Sequence, residues 1–421
     1  MLNKDVEKFL NFNNISHISS KEKFLDALIN KKSVYCGFDP TASSLHIGNY
    51  IQIIILKRLA QLGLKPIIIL GGATGLIGDP SGKNKERELK PKEDIEKNLA
   101  NIKKFILKVF PKAKIVNNLE FYKDLKFIDF LRNFGKQINI NSLLDKDFIK
   151  SRLMFGISYT EFSYIIMQAW DFYNLFQKYN CAVQIGGSDQ WGNISLGIHV
   201  ISKLVQNGDQ ALGLTFPLLV DENNQKLGKS ENNVLLFDKE KFSAYDFYQY
   251  FLSLSDQSII KLAKTASSDD YSIIEEEIKK HTGSPYNYSL HKYVAKNIIS
   301  QTFSEKEYQK IVINSEFLFT NYLKGNFKEE DFKNLIGYIP TVYFSSYDIS
   351  VSNLLSFVFK DELSKSKIKS LIIQKGIKIN NKTVDNYNQI LSSDFFHFKK
   401  YLLIKKNKQH YLAVYSKENK K

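Results

Sequence analysis

Short apolar runs alternate with amphipathic stretches from residue 34 to about residue 220. The runs SVYCGF, PIIIL and AVQIG have the length of strands, whereas residues 47–62, 92–110, 161–178 and 194–205 have the periodicity of helices. Strands that alternate with helices predict an α/β fold with a parallel sheet and crossover helices. Ligands bind such a sheet at the carboxyl ends of its strands.

The remainder of the chain has a different pattern. Residues 239–333 read as helices, with Glu and Lys interleaved among Phe, Tyr and Ile. The segment GYIPTVYFSSY contains Gly and Pro and is predicted to be a linker. We therefore expect an α/β domain over 1–220, a helical domain over 221–336, a linker over 337–347 and a small domain over 348–421.

Positive charge is concentrated at the C-terminal end. The net charge is +15, and residues 348–421 contain 15 lysines against 6 acidic residues, a net charge of +9. This distribution indicates that the last domain binds RNA, although a lysine-rich solvated surface would have the same composition. Nearly all basic residues are lysine, and the arginines are Arg58, Arg87, Arg132 and Arg152.

Composition excludes several classes of protein. Cys36 and Cys181 are the only cysteines, so neither a disulfide framework nor a four-cysteine zinc site can form, and no protein-bound metal is expected. The first residues lack the apolar core of a signal peptide, and the longest apolar runs are too short to cross a bilayer. We expect a cytoplasmic protein that does not associate with membranes.

The string YCGFDPTASSLHIGNY, residues 35–50, joins a predicted strand to a predicted helix. The helix begins near Leu45, so His46 and Asn49 lie on its first turn. Free amide hydrogens and the positive end of the helix dipole at this turn favour the binding of a triphosphate. Taken alone, His46 is more typical of a residue that begins a helix than of a catalyst.

Two glycine-rich turns follow predicted strands, at residues 71–83 (GGATGLIGDPSGK) and 184–193 (QIGGSDQWGN). The first is not a P-loop, because it has one residue too few between its glycines and Asn84 stands where a Ser or Thr would hold magnesium. The second places Asp189 and Gln190 at the end of a strand, where an acidic side chain commonly accepts hydrogen bonds from ribose. Each turn, taken alone, also fits an ordinary loop.

The helix predicted over SYTEFSYIIMQAWDF carries a polar stripe on an apolar surface. Tyr164, Gln168 and Asp171 fall at i, i+4 and i+7, on one face. An unpaired buried carboxylate is costly, so the stripe requires partners. A ligand with an ammonium and a hydroxyl group would supply them, and so would internal hydrogen bonds between helices.

The string KLGKS, residues 226–230, lies in a polar stretch after the last predicted strand of the sheet. Two lysines that flank a glycine on a loop are usually solvated charge. In an enzyme that handles phosphates, they become mobile electrostatic clamps.

Together these strings resemble those of bacterial tyrosyl-tRNA synthetases, along essentially the whole chain and in the order of that family. HIGN and KLGKS correspond to the HIGH and KMSKS signatures of class I synthetases. YCGFDPTA, GGATGLIGDPSG, ISYTEFSY and QIGGSDQWGN are particular to the tyrosine enzyme. Residues 365–384, KSKIKSLIIQKGIKINNKTV, resemble the small RNA-binding module that ends these enzymes.

The resemblance implies a Rossmann-like catalytic domain, a KMSKS-type loop with a helical domain on the anticodon side, and a small α+β RNA-binding domain. Such an enzyme activates L-tyrosine with ATP, accompanied by Mg²⁺, to tyrosyl-adenylate and pyrophosphate. It then transfers tyrosine to the 3′ end of tRNA(Tyr). The resemblance also implies a homodimer whose interface is formed by an insertion around residues 115–160.

The resemblance also assigns roles to individual residues. The hydroxyl group of tyrosine would bind Tyr35 and Asp171, and its ammonium group would bind Tyr164, Gln168 and Asp79. ATP would lie against Cys36, Gly37, Asp39, His46, Gly187, Asp189, Gln190 and Lys229. The catalytic residues, which contact the phosphates and the departing pyrophosphate, would be Thr41, His46, Asn49, Lys83, Arg87, Lys226 and Lys229.

The sequence departs from the family pattern at two places. Asn49 replaces the second histidine of HIGH, as is common in the tryptophan enzyme, and KLGKS is followed by Glu231, Asn232 and Asn233. Two alternatives are a tryptophanyl-tRNA synthetase and a non-catalytic RNA-binding protein on a synthetase scaffold. A pocket with both a tyrosine and an aspartate argues against the first because indole has no hydroxyl group. The retained lysines of KLGKS argue against the second.

Overall fold

The computed structural model describes residues 2–80, 89–144, 146–153, 156–220, 222, 227–228, 234–360, 362–407 and 409–416. The chain forms two compact units, which are Met1–Phe242 with Asp246–Ser304, and Ser243–Tyr245 with Glu305–Lys421. None of the helices in these described ranges is both long enough and apolar enough to span a bilayer.

A sheet organises the first unit. Its strands are β1 (His17–Ile18), β2 (Ser33–Phe38), β3 (Lys65–Leu70), β4 (Lys114–Asn117), β5 (Cys181–Gly187) and β6 (Leu212–Phe216). Among the described residues they are ordered β1-β6-β5-β2-β3-β4, and only β1 is antiparallel to its neighbour. The predicted parallel sheet is confirmed. The strand order reverses between β5 and β2, and such a switch point is where open α/β sheets bind ligands.

Helices cover this sheet. The first unit has α1 (Leu2–Phe12), α2 (Lys21–Ile29), α3 (Ile47–Gln61), α4 (Thr74–Ile77), α5 (Lys92–Val109), α6 (Phe127–Asn133), α7 (Ile140–Leu144), α8 (Asp147–Leu153), α9 (Tyr159–Tyr179) and α10 (Trp191–Leu204). α3 packs against β2 and β3, and α9 packs against α10 and β5. Side chains at the N-termini define where some helices begin: Ser158 precedes α9 and accepts a hydrogen bond from the amide of Glu161. The predicted helices over 47–62, 92–110, 161–178 and 194–205 are all present.

Four further helices follow the sheet: α11 (Ala244–Ser253), α12 (Asp256–Ala266), α13 (Tyr271–Gly283) and α14 (Ser289–Thr302). α12 packs against α3, and α14 packs against α5. These two helices therefore bury their apolar faces on the helical layer of the sheet and belong to the first unit. This differs from the predicted separate domain over 221–336, because the amphipathic pattern does not reveal what an apolar face packs against.

The second unit contains α15 (Glu305–Glu316), a π-helical turn (Phe317–Asn321), α16 (Glu329–Leu335), β7 (Thr341–Phe344), β8 (Ile349–Ser350), α17 (Val351–Val358), α18 (Lys365–Ile373), β9 (Ile377–Ile379), β10 (Lys382–Thr383), β11 (Ile390–Leu391), β12 (Tyr401–Lys406) and β13 (Gln409–Tyr415). Within the described residues, the larger sheet has the order β10-β9-β12-β13-β7, and β11 pairs with β8. β7 pairs in parallel with β13. The predicted linker over 337–347 is thus wrong, because its centre is a strand whose backbone hydrogen bonds belong to this sheet.

Candidate active site

Tyr35 on β2 lies in register with Gln184 on β5, across the point where the strand order reverses. Both side chains are buried, and neither Tyr35 Oη nor Gln184 Oε1 has a hydrogen-bond partner among the described residues. The same is true of Gln168 Oε1 on α9 and Asn193 Oδ1 on α10. Leaving a buried polar group unsatisfied costs about 1–3 kcal/mol, and native proteins rarely do so. These atoms, on elements that meet at the switch point, indicate a site for a polar ligand.

Asp171 on α9 supplies a buried carboxylate to this site. Its Oδ2 accepts a hydrogen bond from Asn118 Nδ2 at 2.8 Å, and its Oδ1 accepts one from Tyr122 Oη at 2.9 Å. Burial raises the pKa of Asp171 to about 7, against the lowering effect of these two hydrogen bonds. Burial, with the nearby Asp171, also raises the pKa of Tyr35. The Tyr35 hydroxyl group therefore keeps its proton, and Asp171 can accept a further hydrogen bond from a ligand.

A chain of hydrogen bonds connects Asp171 with the first glycine-rich turn. Asn118 Nδ2 also donates to Thr74 Oγ1 at 3.0 Å, and Thr74 Oγ1 donates to Asp39 Oδ1 at 2.8 Å. Asp39 Oδ2 accepts a hydrogen bond from Tyr164 Oη at 2.8 Å. The predicted residues Asp39, Tyr164 and Asp171 therefore belong to one connected network, in which each carboxylate is held by neutral donors.

Asp79 and Gln190 form a second group beside this network. Gln190 Nε2 donates to Asp79 Oδ2 at 2.9 Å, and Gln190 Oε1 accepts from Asn193 Nδ2 at 3.0 Å. Gln168 Nε2 lies 3.5 Å from the same Gln190 oxygen. The structure thus brings together Gln168 and Asp79, which were predicted to bind tyrosine, and Gln190, which was predicted to bind ATP.

The end of β2 leaves room for a ligand near the backbone. Gly37 is exposed, and a Cβ atom at this position would have no neighbour within 4 Å. Gly187 is crowded instead, since a Cβ atom there would lie 2.7 Å from Asp189 Oδ1. The buried thiol of Cys36 donates to Gln52 Oε1 at 3.5 Å, and burial raises its pKa to about 12. Cys36 can therefore donate a hydrogen bond but is not a thiolate nucleophile.

The HIGN string begins α3. His46 is the N-cap residue: its Nδ1 accepts from the amide of Asn49 at 3.3 Å, and Asn49 Oδ1 accepts from the amide of His46 at 3.3 Å. This reciprocal capping box orients both side chains at the start of the helix. Thr41 is exposed on the preceding loop, and its carbonyl oxygen accepts from Lys90 Nζ at 2.6 Å.

Part of the KLGKS string lies next to HIGN. Gly228 has a φ of +83°, and a Cβ atom there would lie 2.8 Å from Ile47 Cγ2, at the first residue of α3. The Gly228 amide donates to Tyr250 Oη at 2.7 Å, and the Phe237 amide donates to the Leu45 carbonyl oxygen at 2.8 Å. The two signature strings therefore meet at the N-terminus of α3. Lys226 and Lys229 lie outside the described residues, as do Lys83 and Arg87.

Sequence reasoning missed Asn118, Tyr122 and Thr74, which connect the carboxylates of the site. Asn118 follows β4, a strand of only four residues that the apolar pattern did not reveal. A polar residue at the carboxyl end of a strand is the signal that could have identified it. Thr74 begins the short helix α4 within the first glycine-rich turn, and Tyr122 lies in a turn after β4, so the position of each depends on packing.

One cluster outside the site could in principle hold a metal ion. Ligand atoms of Asp256, His281 and His291 lie within 4.8 Å of one another. His281 Nε2 lies 2.9 Å from Asp256 Oδ1, and His291 Nε2 lies 2.9 Å from the Leu254 carbonyl oxygen. These hydrogen bonds account for the arrangement without an ion.

Comparison with known proteins identifies relatives of the whole chain. The family described as "tRNA synthetases class I (W and Y)" matches residues 30–316. The tyrosine–tRNA ligase of Mycoplasma capricolum is 38% identical over 400 residues, which are 95% of this chain and 96% of that protein. The tyrosine–tRNA ligase of Ureaplasma parvum is 38% identical over 403 residues, 96% of each chain.

Solved structures of tyrosyl-tRNA synthetases are also similar to this chain. A C-terminally truncated mitochondrial tyrosyl-tRNA synthetase from Aspergillus nidulans superposes with a TM-score of 0.65 at 25% identity, covering 74% of this chain and 93% of its own. The Archaeoglobus fulgidus tyrosyl-tRNA synthetase complexed with L-tyrosine has a TM-score of 0.57 at 17% identity, covering 73% of this chain and 99% of its own. The second likeness concerns the fold.

Proposed function

This chain belongs to the class I tRNA synthetases of tryptophan and tyrosine, and we infer that it is a tyrosine–tRNA ligase. It activates L-tyrosine with ATP to tyrosyl-adenylate and pyrophosphate, and then transfers tyrosine to tRNA. The preference for tyrosine as the substrate is supported by two buried groups. One is the carboxylate of Asp171, which accepts hydrogen bonds from Asn118 and Tyr122, and the other is the unpaired hydroxyl group of Tyr35. A phenolic hydroxyl group can donate to Asp171 and accept from Tyr35, whereas an indole N–H group can donate but cannot accept, so an indole ring would leave the Tyr35 hydroxyl unsatisfied.

The remaining polar atoms of the pocket suit the other end of tyrosine. Tyr164 Oη, Gln168 Oε1 and the carboxylate of Asp79 are acceptors for an ammonium group. Gln168 and Tyr164 lie on α9, on the same face as Asp171 and about one and two helical turns before it. That spacing supports binding of one amino acid along the helix, with the hydroxyl group at Asp171 and the ammonium group near Tyr164.

ATP is proposed to bind over the ends of β2 and β5. Gly37 leaves open space beside the backbone at the end of β2, next to Cys36. Gly187, Asp189 and Gln190 lie at and just after the end of the neighbouring strand β5. The phosphates would extend past Asp39 and Thr41 in the loop after β2, toward His46 and Asn49 at the N-terminus of α3, where free amides favour anions. Mg²⁺ would arrive with ATP, because this ion binds substrate phosphates and keeps much of its water. Asp39 fits that view, because each of its carboxylate oxygens already accepts a hydrogen bond from a protein donor.

Activation then requires positioning more than a protein nucleophile. A carboxylate oxygen of tyrosine attacks the α-phosphorus in line, an O–P bond forms, and the bond to the pyrophosphate oxygen breaks. Negative charge develops on the leaving pyrophosphate. Lys83, Arg87, Lys226 and Lys229 are proposed to stabilise it, and the contact of Gly228 with Ile47 supports placing the KLGKS lysines near the helix N-terminus. The terminal hydroxyl of tRNA later attacks the adenylate carbonyl carbon and releases AMP.

The second unit is proposed to bind tRNA(Tyr). On α18, Lys365, Lys367 and Lys369 are exposed while Ile368 and Ile372 are buried. Positive charges in the first turn of a helix oppose its dipole, so they do not serve the stability of the helix. Contact with phosphates would compensate for that repulsion.

The insertion around residues 115–160 is proposed to form a homodimer interface. It exposes large apolar side chains, at Phe127 (64% exposed), Ile128 (70%) and Ile140 (63%), and Tyr159 at the start of α9 is 68% exposed. Apolar residues grouped in this way are typical of protein–protein interfaces. The cytoplasm is the proposed location, because the reaction needs ATP and tRNA.

Tyrosine-dependent exchange of labelled pyrophosphate into ATP tests the proposal. Exchange with tyrosine but not tryptophan is expected. Exchange with tryptophan alone would make the chain a tryptophanyl enzyme, and RNA binding without exchange would make it a non-catalytic RNA-binding protein.

A further inference from the structure

Arginine is rare in this chain, and two of the arginines are deeply buried. Among 59 basic residues the arginines are Arg58, Arg87, Arg132 and Arg152. Arg58 is 4% exposed and Arg152 is 1% exposed, whereas Arg132 lies on the surface of α6. A guanidinium group can form two parallel hydrogen bonds to a carboxylate and an ammonium group cannot. In a chain that uses lysine almost everywhere, a buried arginine marks a place where that planar shape is needed.

Arg152 makes such a paired contact with Glu161. Its Nη1 lies 2.9 Å from Glu161 Oε1, and its Nη2 lies 2.7 Å from Glu161 Oε2. The two side chains are 2% and 3% exposed. Arg152 Nη2 also donates to the Gly156 carbonyl oxygen at 3.3 Å. The contact therefore joins the end of α8, the loop after it and the first turn of α9.

Glu161 lies on the face of α9 that lines the amino-acid pocket. It precedes Tyr164 by three residues and Gln168 by seven, which are the spacings of one helical face. The polar stripe that the sequence revealed thus begins one turn earlier than Tyr164. Ser158 and Glu161 have the spacing of a capping box, but both carboxylate oxygens of Glu161 bind Arg152. The carboxylate therefore anchors the helix to the insertion.

We propose that Arg152 and Glu161 are positioning residues for tyrosine: their buried ion pair holds the first turn of α9 so that Tyr164 stays in contact with Asp39. This inference rests on the proposed tyrosine–tRNA ligase function. Tyr164 Oη reaches Asp39 Oδ2 at 2.8 Å, so a small displacement of the first turn breaks the contact and moves the ammonium site. Asp171 lies about three turns from the helix start and is held separately by Asn118 and Tyr122.

The pair also lies where the proposed dimer interface meets the pocket. Leu153 follows Arg152 and is 48% exposed, and Tyr159 precedes Glu161 by two residues and is 68% exposed. A second subunit that contacts Leu153 and Tyr159 would therefore influence the position of the pocket residues on α9 through the Arg152–Glu161 ion pair.

The test uses the full chain with Arg152→Lys, which keeps the charge but not the two parallel bonds. The KM for tyrosine in pyrophosphate exchange is expected to rise roughly tenfold, because a displaced Tyr164 loses its hydrogen bond to the substrate ammonium group, and one hydrogen bond to a charged group changes affinity by about that factor. The KM for ATP and kcat are expected to stay within about twofold, since an interaction equally strong in ground and transition states affects KM alone. Arg132→Lys, on the exposed surface of α6, is the matched control and is expected to change nothing.

A double-mutant cycle with Glu161→Gln separates positioning from general stability. The two changes together are expected to raise the KM for tyrosine no more than the larger single effect, because they remove one shared contact. If Arg152→Lys does not remain folded, Glu161→Asp, which keeps the charge and shortens the side chain, replaces it at a lower temperature.

An unchanged KM for tyrosine in a folded Arg152→Lys variant would overturn this inference while leaving the proposed function intact. Parallel rises in the KM values for tyrosine and ATP would also overturn it, because they would indicate general loosening of the domain. A wild-type chain without tyrosine-dependent exchange would instead overturn the proposed function and, with it, this inference.

Discussion

Asn118 Nδ2 donates a hydrogen bond to Asp171 Oδ2 at 2.8 Å, although 53 residues separate the two along the chain. The contact joins the carboxyl end of β4 to the middle of α9. Tyr122 Oη donates to the other carboxylate oxygen at 2.9 Å, so the carboxylate has a single orientation in the pocket. The two predictions that follow depend on this arrangement.

Asp171→Ala is expected to reduce discrimination between tyrosine and phenylalanine. Phenylalanine would leave the carboxylate and the Tyr35 hydroxyl unpaired, and removing the carboxylate removes most of that penalty. Tyrosyl-tRNA synthetases are known to discriminate by about 10⁵, a magnitude taken from that enzyme class and not from this structure, and we expect a fall of about a hundredfold or more. The ratio of kcat/KM for the two amino acids measures it. An unchanged ratio would show that Asp171 does not contact the hydroxyl group of the substrate.

Tyrosine activation is expected to depend on pH through Asp171. Burial raises the pKa of Asp171 to about 7. Below that pH the group is protonated and accepts a hydrogen bond from the substrate hydroxyl less well, so the KM for tyrosine should rise as pH falls. Asn118→Ala removes a hydrogen bond that lowers this pKa, so the midpoint should move to higher pH. Kinetics from about pH 6 to 8.5 provide the test, and the same midpoint in both proteins would contradict the assignment.

Gly228→Ala is expected to slow adenylate formation. Gly228 has a φ of +83°, which alanine rarely adopts, and the new Cβ atom would lie 2.8 Å from Ile47 Cγ2. The loop should shift and carry the neighbouring lysines away from the pyrophosphate, so the rate should fall by about tenfold or more with little change in tyrosine affinity. Gly283→Ala is the control, because its Cβ atom would meet nothing within 4 Å. Equilibrium dialysis measures the affinity for tyrosine, and pre-steady-state kinetics measure the rate of adenylate formation. A loss of tyrosine affinity at an unchanged rate would contradict the role proposed for this loop.

Phe127→Asp with Ile128→Asp is expected to produce monomers. Dimerisation would bury the two new carboxylates in the interface without partners. Desolvation of an unpaired charge costs about several kcal/mol per group, so the dimer should dissociate. Ile29→Asp, at a position of similar exposure (67%) on α2, should leave the assembly unchanged. Sedimentation velocity measures the mass. A wild-type monomer, or a dimer that tolerates both changes, would exclude this surface as the interface.

Removal of the second unit is expected to separate the two steps of the reaction. Ending the chain near Thr341 or Ser346, as the predicted linker suggested, would cut within or just after β7 and isolate it from β13. The boundary after Ser304 follows the compact units instead.

Pyrophosphate exchange by residues 1–304 is expected to stay within about threefold of the full chain, whereas tRNA charging should fall by about a hundredfold or more. Charging by the full chain should also fall steeply with salt, because lysines that bind phosphates release counterions. Both activities are to be measured on one preparation at two salt concentrations. Normal charging by the shortened chain would exclude RNA binding by residues 305–421.

The sequence by itself determined the parallel sheet, the positions of its main helices and the strings that lie at its carboxyl edge. These features depend on local periodicity and on glycine-rich turns, which neighbouring residues encode. The grouping of Tyr35, Asp39, Tyr164 and Asp171 at one site came instead from the resemblance to the synthetase family, because local patterns do not show which helix face lies over which strand.

Tertiary structure alone decided the partners of those residues. Asn118 reaches Asp171, and Arg152 reaches Glu161, through packing that brings together segments with no shared pattern in the sequence. The same holds for β7, which reads as a Pro- and Gly-flanked linker but pairs with β13. A backbone hydrogen bond or a buried ion pair requires a partner of suitable geometry, and only the folded chain specifies which residue supplies it.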